Sequence, residues 1–60
     1  AAHLAVLGRL LSADRLRVRA AAVDALAGVD DEVARRLLAA YYPHADSAPQ
    51  RRRIEASLGL

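Results

Sequence analysis

The sequence predicts an all-α fold, organised as a fragment of an α-α superhelix, or solenoid, of about two helical hairpins within 60 residues. Three observations lead there. The first is composition. The chain is 55% hydrophobic, yet alanine and leucine supply most of that, phenylalanine and tryptophan are missing, and helix formers far outnumber β-branched residues. The second is internal repetition: Asp14 to Leu26 and Asp46 to Leu58 stand 32 residues apart and match in pattern. In each, a loop aspartate is followed five residues later by arginine (Arg19, Arg51) and twelve later by leucine (Leu26, Leu58). A period of roughly 20 to 50 residues is the mark of stacked helical repeats. The third is that the second helix carries apolar residues on two sides.

Helical periodicity places the first element at about residues 2–11. Leu4, Leu7 and Leu11 recur at spacings of three and four, Val6 and Leu10 form an adjoining strip, and only Arg9 and its flanks read as solvated. Ser12-Ala13-Asp14 supplies a turn, with Asp14 as N-cap of a second helix over about 14–27 and Gly28 as a left-handed residue ending it. On a 3.6-residue wheel Val18, Ala22, Ala25 and Leu26 fall on one side of this helix, and Leu16, Ala20, Val23 and Ala27 nearly opposite. A helix at the rim of a small bundle needs one apolar face, whereas a helix between stacked repeats needs two. Hence the prediction that helices cover both sides.

A third helix is expected over about 31–42, capped by Asp30 and held on its wet side by Asp31/Arg35 and Glu32/Arg36 pairs. Its buried stripe is read as Val33, Leu37, Ala40 and Tyr41, with Tyr42 at the boundary, and the inter-helix core as Val18, Ala22, Ala25, Leu26, Leu37 and Tyr41. Pro43 stops the helix. Ser47-Ala48-Pro49-Gln50 has capping-box spacing and opens a last helix over about 48–58, which Gly59 closes. Only Ile54 and Leu58 anchor that helix, so it is expected to lean on a neighbour.

Taken together, Leu10-Leu11-Ser12-Ala13-Asp14, Val18-Arg19-Ala20-Ala21-Ala22 and Ala25-Leu26-Ala27-Gly28 resemble the HEAT and HEAT-like repeats of the armadillo-type superfamily. The resemblance covers nearly the whole chain, as one full repeat and most of a second. It implies that a turn aspartate and the Val-Arg arginine tie adjacent repeats together, so that Asp14 pairs with Arg51 or Asp46 with Arg19. It also implies a scaffold for protein partners or for neighbouring repeats of the same chain. In the second copy Gln50 stands where valine is usual, and Arg52-Arg53 where alanines are usual.

Composition bounds the alternatives. Sixty residues make at most one domain, and ordering each costs roughly 1.5 kcal/mol, which a core this small offsets only narrowly. Cysteine is absent, so no disulfide helps. Methionine is absent even at position 1 and no signal pattern opens the chain, so the sequence reads as a piece of a longer protein. All nine basic residues are arginine, and the formal charge is only +2, a weak pull on anionic partners. No apolar run reaches the roughly eighteen residues that a bilayer requires, so no membrane insertion is expected. Nothing indicates a compartment.

Enzymatic chemistry finds little support, and neither cofactor nor metal is expected. His44, Asp46 and Ser47 supply the letters of a nucleophilic triad, but a triad is held by rigid elements and these share one short loop. Glu32 and Glu55 each have a helical arginine neighbour that keeps them ionised, which disfavours acid–base pairing. His3 and His44 offer two ligands where a zinc site takes at least about three. Nucleic acid is the second reading of function. Arg51-Arg52-Arg53 sweeps three quarters of a helical turn, so at most two of the three face one phosphate backbone, with Tyr42 nearby for stacking. Ala27 to Arg35 also resembles the turn of a helix-turn-helix repressor, but Asp24 and Ala34 stand where that motif has alanine and a buried β-branched residue.

Overall fold

Four α-helices and no strands make up the computed structural model, which describes residues 2–60, with side chains described from Leu4 onward. They are α1 (Ala2–Leu10), α2 (Leu16–Ala27), α3 (Glu32–Tyr41) and α4 (Ala48–Leu58), with a 3-10 turn at Tyr42–His44 between the last two. Consecutive helices form hairpins. α2 touches the other three helices, as does α3, whereas α1 and α4 make no substantial contact with each other. The contacts run in a closed circuit α1–α2–α4–α3–α1, with α2 against α3 across it. α1 lies beside α3, and α2 lies beside α4, giving a slab of 29 × 26 × 16 Å whose radius of gyration is 10.2 Å.

α2 and α4 run parallel. Leu16 and Ala20 share a groove with Ser47, Pro49 and Gln50 at the start of α4, Asp24 pairs with Arg53 at mid-helix, and Ala27 lies beside Ala56 and Ser57 near its end. On the other side of the slab, Gly8 of α1 sits against Leu37 of α3; a Cβ at position 8 would lie 3.3 Å from Leu37 Cδ2. The atoms that a side chain at Gly8 would meet are the methyl groups at the end of Leu37.

The core consists of Leu4, Leu7 and Leu11 from the first hairpin's outer layer, Ala22, Val23 and Leu26 from α2, Ala34, Leu38 and Tyr41 from α3, and Ile54 from α4. Leu26, Leu38, Ile54 and Val23 are its largest fully enclosed side chains. Two shifts from the expected pattern are instructive. In α3 the buried stripe is Ala34, Leu38 and Tyr41, about one position from the predicted one; Val33 and Ala40 are exposed and Leu37 is only partly covered. The cause is that α3 lies between α2 and α1, so its enclosed side faces α2, while Val33 and Leu37 form the flank towards α1. In α2, Ala25 is exposed, Val18 half-buried and Leu16 54% exposed, while Val23, placed on the second side, is fully enclosed. Val6 and Leu10 are likewise exposed rather than packed.

The helix ends also differ in detail. α2 begins at Leu16, two residues later than expected, with Arg15 in the N-cap position and no side-chain cap; the Asp14 carbonyl accepts from the Arg19 guanidinium. Gly28 ends α2 with φ −85°, not left-handed; Gly28 N–H donates to Ala25 and Asp24, and Val29 N–H to Leu26, so the last turn tightens without reversing the chain. Asp31, not Asp30, caps α3 by accepting from Val33 N–H at 2.7 Å. That frees Asp30 for Arg35, at 2.8 Å, so the expected Asp31/Arg35 pair is replaced by Asp30/Arg35 and Glu32/Arg35, while Glu32/Arg36 forms at 3.4 Å. Ser47 caps α4 by accepting from Gln50 N–H, and Gln50 Oε1 reaches back to Asp46 N–H. At the far end Gly59, with φ 76°, makes a left-handed closure in which Leu60 N–H donates to Glu55 O at 2.8 Å and Gly59 N–H to Ala56 O.

Candidate functional site

Among the described residues the most heavily bonded polar group is the Arg19 guanidinium, and the chain is folded so that four segments meet there. Arg19 lies in the first turns of α2, close above the turn from α1, and its Nη1 donates to Ala13 O at 2.7 Å and Asp14 O at 3.1 Å. Its Nε and Nη2 form a two-pronged contact with Asp46, at 3.3 Å to Oδ2 and 3.1 Å to Oδ1. Tyr41, at the end of α3, donates its hydroxyl to Asp46 Oδ2 at 2.5 Å. Asp46 N–H donates to Gln50 Oε1 at 2.7 Å, which carries the connection into α4. A planar guanidinium suits this geometry because its donors diverge in a fixed fork, some towards a carboxylate and others towards carbonyls.

The side chains of Arg19 and Asp46 keep only 24% and 20% of their exposure. The electrostatics follow from the contacts. Hydrogen bonds from Arg19, then from Tyr41, hold the Asp46 carboxyl below its usual range, and the bond to Asp46 raises Arg19. Burial, then the bond to Asp46, pushes the Tyr41 hydroxyl up. These bonds join α2, the turn before it, the end of α3 and the loop into α4.

Of the four residues in the expected aspartate–arginine ladder, Arg19 and Asp46 meet, whereas Asp14 and Arg51 do not pair with each other. Asp14 contributes its carbonyl, and Arg51 is exposed at the start of α4. Sequence reasoning placed Tyr41 in the core by its ring and missed its hydroxyl; it gave Gln50 a capping part but missed the link to Asp46. The Ser47-to-Gln50 capping spacing was the available signal for the latter.

The arginine run splits in function. Arg53 leaves the run to bind Asp24 across the α2–α4 seam at 2.8 Å, while Arg51 and Arg52 are exposed. Glu55, expected beside Arg51 or Arg52, instead accepts the Tyr42 hydroxyl, and that bond is the main cause of a raised Tyr42. Four of the nine arginines, Arg19, Arg35, Arg36 and Arg53, are held by carboxylates, and these are spread over α2, α3 and α4.

Among the described residues, no hydrogen bond joins His44 to Asp46 or Ser47: Asp46 is committed to Arg19 and Tyr41, and the Ser47 hydroxyl caps α4. No group of three or more His, Cys, Asp or Glu residues is arranged for a metal among them. The His3 side chain lies outside the described residues. No helix described is long and apolar enough to cross a membrane. No family model, curated protein or solved structure matches the chain.

Proposed function

We propose that this chain is a HEAT-like segment of an α-α solenoid, serving as a scaffold for protein–protein contact. The observation that carries the reading is the Arg19–Asp46 fork, which ties the turn of the first hairpin to the turn of the second, 27 residues on. A bond between equivalent turns is what a stacked array needs, since each hairpin buries its face only against its neighbours. The side-by-side placement of the two hairpins, α2 beside α4 and α1 beside α3, agrees with it. Most of the polar contacts serve structure: Asp24, Asp30, Glu32 and Asp46 hold arginines, Asp31 and Ser47 cap helices, and Glu55 accepts the Tyr42 hydroxyl.

The competing reading, a basic module gripping nucleic acid, rests on the exposed Arg51 and Arg52. The test is fluorescence anisotropy of the chain with labelled duplex and single-stranded oligonucleotides across a salt series, repeated with Arg51→Gln/Arg52→Gln. The scaffold reading expects no micromolar affinity in either protein. A micromolar or tighter affinity that weakens steeply with salt, and disappears in the double variant, overturns it.

A further inference from the structure

We draw no further inference here: the strongest candidate, the apolar groove between α1 and α3 lined by Leu4, Ala5, Gly8, Val33 and Leu37, carries nothing because nothing in the structure shows what covers it.

Discussion

The Arg19 guanidinium and the Asp46 carboxylate meet in a two-pronged contact across the two hairpin turns, and the Tyr41 hydroxyl shares one of the carboxylate oxygens. Because the remaining Arg19 donor is taken by the carbonyls of Ala13 and Asp14, removing either partner strands several groups at once. The cluster therefore behaves as a unit.

Substitutions in that unit are expected to be non-additive. Asp46→Asn should lower the melting temperature more than Arg36→Ala, which breaks an exposed i,i+4 pair worth at most a few tenths of a kcal/mol. Tyr41→Phe removes one hydrogen bond while keeping the ring and should cost about 1 kcal/mol. A double-mutant cycle over Asp46→Asn and Tyr41→Phe, followed by urea titration, is expected to show a coupling beyond additivity error. Strict additivity would mean that the groups act independently.

The same contacts set the pH limits of the fold. Asp46 is held below its unfolded value, so its stabilisation is complete above the ordinary aspartate range near about 4 and is lost as pH falls through the lower folded value. Tyr41 and Tyr42 are raised, so their contribution is complete below about 10 and is lost as pH rises through the folded values. Thermal melts should be flat between these limits and fall on both sides. In Tyr41→Phe the alkaline fall should shrink while Tyr42 continues to supply part of it.

How much of this was legible in the sequence depended on how local each cause was. Helix positions followed from periodicity and from Pro43, Ser47 and Gly59, all of which act within a few residues of their own position. Which flank of α3 was enclosed did not follow, because Val33, Leu37 and Leu38 are chemically equivalent on a wheel and only the placement of α1 and α2 distinguishes them. Ala25 was misassigned for a related reason: alanine fits a buried or an open site equally well. The competition between Asp30 and Asp31 was undecidable because either can cap, and it is Arg35 that draws Asp30 away. Of the ladder implied by resemblance to HEAT repeats, the Arg19–Asp46 contact is present; the carbonyl bonds around it depend on the exact path of the first turn.

Truncation in the core should be severe. Leu38 and Ile54 are fully enclosed, and replacing either with alanine should cost roughly 2–5 kcal/mol, a large part of the total stability of so small a domain. Ile54→Ala should uncouple α4 first, because Leu58 is the only other apolar residue of that helix against the core. Amide exchange in the wild-type chain should accordingly be faster in α4 than in α2, which is packed against three helices. Equal protection in both helices would show that α4 is held by more than Ile54, Leu58 and its polar bonds.

Two glycines give opposite expectations from the same substitution. At Gly8 an added Cβ would lie 3.3 Å from the end of the Leu37 side chain, tight, but against methyl groups that can give by a few tenths of an ångström. Alanine is favoured over glycine inside a helix by about 1 kcal/mol, so Gly8→Ala should be neutral or stabilise by up to that amount. At Gly59 there is open space around the new Cβ, but φ is 76°, a conformation that costs an L-residue about 1 kcal/mol, so Gly59→Ala should destabilise and loosen the Leu60 to Glu55 bond. Chemical denaturation of both variants decides the matter. A Gly8→Ala protein markedly less stable than wild type would mean that Leu37 cannot shift and that the α1–α3 approach is rigid.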